Sequence, residues 1–382
     1  MKARLTVITE IIAPYRVPVF NALAARNDVE LHVIFLAKTD PTLREWEVPF
    51  GEMHFSFEVL PSWRRRVGKY NILLNRGISN ALESKRPDVI LCGGYNYLAS
   101  WRAAYWARSH QVPLLLWLES TAADQRSERM AVESLKKRFL GLCRAFVVPG
   151  KSSAEYLRSL GVREEVIFTA PNAVDNDLFS IRAEAARNAG CTIREQLGLP
   201  ERFFLNVGRL VRAKGVFDLL EAYAKLDGSL RREIGLVYVG DGAARPELEA
   251  RAAKITPGRI CCTGFVQKEQ LPSYYAFADA LVFPTHSDPW GLVVNEAMAC
   301  SLPVITTSVA GCAADLVKDE WNGKVVPAQD PAQLAVAMKY LMSNPELKSV
   351  MGERSHERIA AFSPDCCAAG IARAIQRSAV RS

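Results

Sequence analysis

Residues 287–299 read SDPWGLVVNEAMA. Asp288 stands just ahead of Pro289 and Gly291, and Glu296 follows eight positions later inside an apolar, helix-prone run. Pro289 and Gly291 keep Asp288 out of the helix that LVVNEAMA propagates, so the two acids are not a pair flanking one scissile bond as in a glycosidase. Glu296 lies about a turn and a half into that helix. The N–H groups of Gly291, Leu292 and their neighbours point out of the helix start, where an anion is favoured. A carboxylate accepts paired hydrogen bonds from vicinal hydroxyls. One acid can thus hold a sugar and the other a ribose, with phosphate on the amides between them. Standing alone, the same stretch reads more simply as an N-capping Asp and a surface Glu.

Two further stretches bear on that choice. VGRLVRAKG (207–215) ends a strand at Gly208 and brings Arg209 and Lys214 to the entrance of a helix near Gly215. Cations beside helix-terminal amides suit a diphosphate, because charge and dipole act in one direction; a solvated pair on a surface loop is the alternative. VGDGAAR (239–245) resembles part of G-x-G-x-x-G, but Arg245 stands where the third glycine belongs. Cys261 and Cys262 occupy the region where a ribose-binding acid would follow, so it is a poor nicotinamide fingerprint. Gly240 then serves a turn that brings backbone close to a ligand, or a plain tight turn.

The elements that must position these residues are strands and helices in alternation. In the first half RLTVIT (4–9), ELHVIFL (30–36), DVILC (88–92), PLLLWL (113–118) and AFVVP (145–149) are the expected strands, separated by helical patterns such as NILLNRGISNALESK and SLKKRFLGLC. The second half repeats the scheme with FFLNVG (203–208), IGLVYVG (234–240), ALVFP (280–284) and PVITT (303–307). Continuous apolar strands alternating with helices imply parallel sheets covered on both faces. A chain of 382 residues exceeds one ordinary core, so two doubly wound α/β domains are expected. Their seam falls within 171–200, with a first domain over 1–171, a second over 172–362, and a helix at about 363–382 packing back on the first. Ligands in such sheets bind off the carboxyl ends of the strands.

Composition narrows the class. With 49% hydrophobic and 23% charged residues the chain is globular rather than disordered. Its apolar runs are too short to span a bilayer, and the N-terminus lacks a signal-peptide core, so export is not expected. Nine cysteines, with no C-x-x-C and two vicinal pairs, point to reduced thiols in a cytosol, and five scattered histidines give no metal-ligand spacing. Residues 1–170 hold 24 Lys/Arg against 17 Asp/Glu, a net +7, whereas residues 171–382 hold 24 of each. The whole excess therefore directs the first half at something anionic.

From VGRLVRAKG to VVPAQ the chain resembles the nucleotide-sugar domain of retaining glycosyltransferases of family four, which have the GT-B fold. GRLVRAKG, YVGDGAARPELE, TGFVQKEQLPSYYAFADALVFPT and DPWGLVVNEAMACSLPVITTSVAG follow in that family's order and spacing. The likeness is strong over roughly 145–330 and only one of overall pattern before that. It implies two facing Rossmann-like domains with the active site in a cleft, and Arg209 and Lys214 neutralising the donor diphosphate. Glu296 would hold the ribose, and Asp288 the transferred sugar. Gly208, Gly240, Gly264, Phe265, Val266, Gly291, Leu292 and Val293 would line the donor. The family usually has glutamate at the first acid, with the same seven-residue gap; here it is Asp288, one methylene shorter.

The first half departs further from the family. Many relatives carry a glycine-rich loop after the first strand, whereas this chain has ITEIIAPYRVPVF, in which Pro14 and Pro18 stiffen the turn and Arg16 can contact an anion beside Tyr15. Where many relatives place a histidine after the fourth strand, LLLWLES offers Glu119, facing a substrate or buried as a structural carboxylate. Gly93, Gly94 and Tyr95 suit close approach of an acceptor. Asp175–Asn176–Asp177 fits the metal-holding D-x-D of a different transferase fold, but it lies in a linker and the resembling fold works without metal. SWRRRVGKYN (62–71) and SLKKRFLGLCRAF (134–146) set cations beside Trp, Phe or Leu, as interfacial segments do. A solvated charged face is the simpler reading of either run. Aromatic spacing for base stacking is absent, so nucleic acid is not expected.

The sequence reading is a metal-independent glycosyltransferase that moves a hexose from a UDP- or GDP-sugar to a glycan or glycolipid hydroxyl. It would work in the cytoplasm, in peripheral contact with the inner face of an anionic membrane. The alternatives are a non-catalytic sugar-nucleotide scaffold or a nucleotide-sugar epimerase of the same fold.

Overall fold

The structure is a computed structural model and describes residues 2–40, 46–67, 70–124 and 130–379. The chain divides into two compact units, Met1–Val174 with Ser363–Ser382, and Asp175–Phe362.

In the first unit the strands are β1 (Ala3–Thr9), β2 (Val29–Phe35), β3 (Ser56–Val59), β4 (Ser62–Val67), β5 (Tyr70–Asn75), β6 (Val89–Cys92), β7 (Leu114–Trp117), β8 (Ala145–Val148) and β9 (Ile167–Thr169). Seven of them make one sheet in the order β3-β2-β1-β6-β7-β8-β9, and every neighbouring pair is parallel. Strands β6, β7 and β8 are buried along their whole length, as strands covered on both faces must be. Alternate side chains serve two cores. Leu5, Val7, Val33, Leu91 and Val147 pack with residues of the helices Val17–Ala24 and Pro364–Ala379. Ile8, Ile34, Ile90, Leu116 and Val148 pack with the opposite layer, which includes Leu82, Ala103 and Leu157.

The remaining two strands form an antiparallel hairpin, β4 against β5. The run NILLNRGISNALESK is therefore not one helix. Its first part is β5, and the helix Ile78–Lys85 starts only after Gly77. Exposure alternates along Ile72, Leu73, Leu74 and Asn75, the period of a ribbon with one face covered.

The second unit holds β10 (Phe203–Val207), β11 (Gly235–Val239), β12 (Ile260–Cys262), β13 (Ala280–Phe283), β14 (Val304–Thr307) and β15 (Gly323–Val326), all parallel in the order β12-β11-β10-β13-β14-β15. Phe204, Leu236, Tyr238, Val282 and Ile305 share a core with the helices Val216–Ala224 and Pro331–Ser343. The unit opens with the helix Asn176–Ala189, capped by Asp175, whose Oδ1 accepts from the Leu178 N–H at 3.0 Å. That is where the first acid of the D-x-D pattern goes. Among the described residues no helix is long and apolar enough to cross a membrane.

Both basic runs are more structural than their sequence implies. Arg64, the first of three arginines in β4, is ion-paired with Asp40 and with Glu10, the latter at 3.3 Å. Lys136 is buried on the helix Met130–Leu140, donating to Glu133 at 2.7 Å and to the Tyr156 hydroxyl at 2.5 Å, and Phe139 beside it is core. Gly68 and Lys69 of the first run lie outside the described residues.

Candidate functional site

In each sheet the strand order reverses once, and a crevice opens off the carboxyl ends where it does. In the second unit that point lies between β10 and β13. The loop after β10 carries Gly208 to Lys214, and the loop after β13 carries Pro284 to Gly291, so two stretches distant in sequence meet there.

Backbone contacts join the two loops. The His286 N–H donates to the Ala213 carbonyl at 3.0 Å, and the Thr285 hydroxyl reaches the same oxygen at 3.3 Å. Gly215 is left-handed, at φ +67°, and a Cβ there would stand 1.9 Å from the Pro284 carbonyl oxygen. Only glycine fits, because both the dihedral and the space exclude a side chain. Lys214 Nζ forms an ion pair with Asp288 Oδ2 and approaches the Ser287 carbonyl at 3.5 Å. The other Asp288 oxygen accepts from the Trp290 N–H at 3.1 Å. Asp288 is thus fixed on both sides, to a cation and to the backbone.

Trp290, between the two acids, is a packing anchor. It is buried, its indole N–H donates to Asn295 Oδ1 at 2.8 Å, and its ring lies against Phe362. Gly291, at φ +99°, then starts the helix Leu292–Ala299. A Cβ at Gly291 would meet Phe283 at 2.5 Å. At this helix start the N–H groups of Gly291, Leu292 and Val293 have no acceptor from the helix itself. They follow directly on the loop that carries Asp288, the partner of Lys214.

Glu296 lies further along the helix and takes a hydrogen bond from the Tyr275 hydroxyl at 2.7 Å. Burial pushes its carboxyl up to about 7, only partly opposed by the Tyr275 bond and the Lys268 cation. Arg209 is exposed on the loop after β10. Gly208, Gly240 and Gly264 lie at the ends of β10, β11 and β12. The Gly208 N–H bonds the Val239 carbonyl at 2.9 Å, and that of Gly240 bonds the Gly264 carbonyl at 2.8 Å. Phe265 next to them is 42% exposed, an open aromatic face, and Val266 is half-buried. Arg245, in the third-glycine position, pairs with Asp241 and Glu249 instead of admitting a ligand.

In the first unit the reversal lies between β1 and β6, and the acceptor candidates sit on the loops after those strands. Pro14 opens the 3-10 turn Pro14–Arg16. Arg16 Nη2 pairs with Glu119 Oε1 at 2.8 Å, and its guanidinium lies over the Trp117 ring at 4.1 Å. Arg16 and Glu119 are therefore partners of one another. Tyr15 packs edge-on against Trp46. The Gly93 N–H bonds the Ile8 carbonyl at 2.8 Å, and the Tyr95 carbonyl accepts from the Trp101 indole at 3.0 Å. Burial raises the Tyr95 hydroxyl above its ordinary value.

Sequence reasoning missed several contributors. His286 bonds Asp218 at 2.7 Å, tying the loop after β13 to the helix that follows Gly215. Tyr275 holds Glu296 from a helix that precedes β13. Burial and the adjacent Glu10 raise the Tyr97 hydroxyl, so Glu10, Arg64, Asp40 and Tyr97 form one polar cluster near the end of β1. None of these pairs has a sequence spacing that could reveal it.

Two families match the chain in tandem. Residues 20–178 match Glycosyltransferase Family 4, and residues 192–358 match Glycosyl transferases group 1. The chain is 34% identical over 182 residues to an alpha-D-kanosaminyltransferase of Streptomyces kanamyceticus, covering 47% of this chain and 46% of that protein. It is 32% identical over 208 residues to a D-inositol 3-phosphate glycosyltransferase of Xylanimonas cellulosilytica, covering 52% and 49%. The chain thus spans about half the length of these curated relatives. Anabaena HepE, solved in complex with UDP and with UDP-glucose, shares the fold; in the UDP complex the TM-score is 0.78 at 18% identity, over 99% of this chain and 100% of that one.

Proposed function

For a chain that belongs to the GT-B glycosyltransferases of the family-four type, we propose retaining transfer of a hexose from a UDP- or GDP-sugar to the hydroxyl of a lipid-linked or surface-polysaccharide precursor. One observation carries the donor half of this reading. Lys214, Asp288 and the helix-start amides of Gly291 to Val293 come from two distant loops and meet where the strand order reverses. Breaking the sugar–phosphate bond builds positive charge on the anomeric carbon and negative charge on the departing diphosphate. Lys214, Arg209 and the helix-start dipole stabilise the latter. These fixed charges supply the counter-charge without a metal. Glu296 accepts the ribose hydroxyls, and Asp288 faces the sugar while holding Lys214. The acceptor attacks from the face the diphosphate leaves, and a phosphate oxygen takes its proton. On the first unit, Arg16, Tyr15 and the loop Gly93–Tyr95 form the acceptor side. The enzyme works in the cytoplasm.

A second reading draws on the Lys214–Asp288 ion pair. A cation already neutralised suits a scaffold that holds a sugar nucleotide without turning it over. One experiment separates the two. Thermal shift across a panel of UDP-, GDP- and other nucleotide sugars fixes base and sugar, and diphosphate release from the best binder is then followed with lipid-linked acceptors. Release supports transfer. Binding with no release from any acceptor leaves the scaffold, and no shift with any nucleotide removes both.

A further inference from the structure

We infer that the outer face of the β4–β5 hairpin is a docking surface for an anionic lipid bilayer. The hairpin leaves the sheet at its carboxyl edge, directly after β3, and its base is fixed there. The Arg76 N–H bonds the Pro61 carbonyl at 3.3 Å, and Asn75 Nδ2 bonds the Leu36 carbonyl at 2.5 Å. Arg64 clamps the inner face to Glu10 and Asp40, and Leu73 on the same face is core. With that face fixed, strand alternation sends Trp63 and Arg65 outward from β4, and Leu74 and Ile72 opposite them from β5. Those apolar side chains are 52%, 42% and 39% exposed for Trp63, Leu74 and Ile72.

Among the described residues nothing covers the outward, apolar face of this ribbon, which is pinned by its inner charges. The charge pattern identifies one. From Ser62 to Arg76 the sequence holds five cations and no acid; Arg64 is neutralised on the inner face, and Arg65 shares the outer face with the apolar side chains. Aromatic and aliphatic side chains among cations insert at the headgroup boundary while the cations meet lipid phosphates. The surface continues onto the helix Leu98–Ser109, which packs against β5 and whose Arg102 donates to the Asn75 carbonyl at 3.5 Å. There Leu98 and Tyr105 are also exposed, one turn to either side of Arg102. The loops after β1 and β6 open at the same edge of the sheet, so a docked hairpin brings a lipid-linked acceptor to Arg16 and Gly93. This last step rests on the transfer reading; the docking does not.

Flotation of the full chain with vesicles tests the docking. The protein is expected to float with phosphatidylcholine vesicles containing phosphatidylglycerol, to be released by salt, and to remain behind with phosphatidylcholine alone. Trp63→Ser with Leu74→Ser, and separately Arg65→Glu, should each lower the bound fraction about tenfold. The thermal transitions of both units in scanning calorimetry should be unchanged, which reports that the unit carrying the hairpin remains folded, and so should nucleotide affinity. Wild type that ignores anionic vesicles, or a double variant that floats as well as wild type, overturns the inference. So does a double variant that turns a dimer into a monomer without changing flotation, which would make this face a self-contact. Flotation without any nucleotide binding would leave the docking intact and sink only the transfer reading.

Discussion

In the proposed reading Lys214 meets two opposed demands, since its ammonium is neutralised by Asp288 and a diphosphate would need the same charge. The short Asp288 side chain is also tied to the Trp290 N–H, so it stays where it is as the cation turns to phosphate. Asp288→Asn keeps that backbone bond and removes the competing carboxylate. Isothermal calorimetry should then show diphosphate nucleotides binding more tightly, by up to about tenfold, while turnover falls. Weaker binding would mean that Asp288 places Lys214 for the ligand rather than competing with it. Lys214→Ala and Arg209→Ala should each lower turnover about a hundredfold with the thermal transition unmoved; unchanged rates in both would remove them from the diphosphate role. Glu296 gives a pH signature. Its folded value of about 7 lies above the ordinary carboxyl range. The stability cost of ionising it is therefore absent at low pH, sets in above the unfolded value, and is complete above about 7, on the order of 1–3 kcal/mol. Ribose hydroxyls favour the ionised form, so nucleotide binding should release a proton and tighten between about pH 5.5 and 7.5. Glu296→Gln should flatten that slope. Equal affinity and slope in the variant would reject the ribose contact.

Gly215 carries the same logic to the level of loops. The loop after β10 lies against the loop after β13 so closely that Gly215→Ala must move one of them. It should cost on the order of 1–3 kcal/mol in urea unfolding and weaken nucleotide binding as well. A loss of stability with affinity intact would detach this contact from the site. What the sequence revealed follows from where each strand lies. Strands β6, β7, β8, β10, β11, β13 and β14 are interior and read as continuous apolar runs. The overlooked strands β3, β9, β12 and β15 are the four sheet edges, short and half-polar, because one side of each meets no neighbouring strand. The hairpin was overlooked for a related reason: Ile72, Leu73 and Leu74 look alike in sequence, and only Arg64, drawn inward by two distant acids, decides which of them faces out. The motif loops were legible since glycine, proline and charge mark the ends of interior strands. Their mutual contacts, such as Ala213 to His286 or Tyr275 to Glu296, join residues with no sequence relation and needed the fold.

The excess positive charge belongs to the first 170 residues, the part that carries the hairpin, while the second half is balanced. The last helix, Pro364–Ala379, returns to the first unit, where Cys367, Ala368, Ile371, Ala374 and Ile375 complete the core beneath β1 and β8. A chain ending at Phe362 should therefore lose the thermal transition of the first unit in scanning calorimetry and keep nucleotide binding by the second. Retention of both transitions would show the helix to be dispensable. The same connectivity fixes an order on the ribosome. The opening sheet is synthesised early but waits for its closing helix until almost 200 further residues have been translated, a lag of roughly 10–40 s at ordinary elongation rates. Throughout that interval Asp175–Phe362 is itself emerging, and the exposed underside of the opening sheet is the surface a chaperone would meet on the nascent chain.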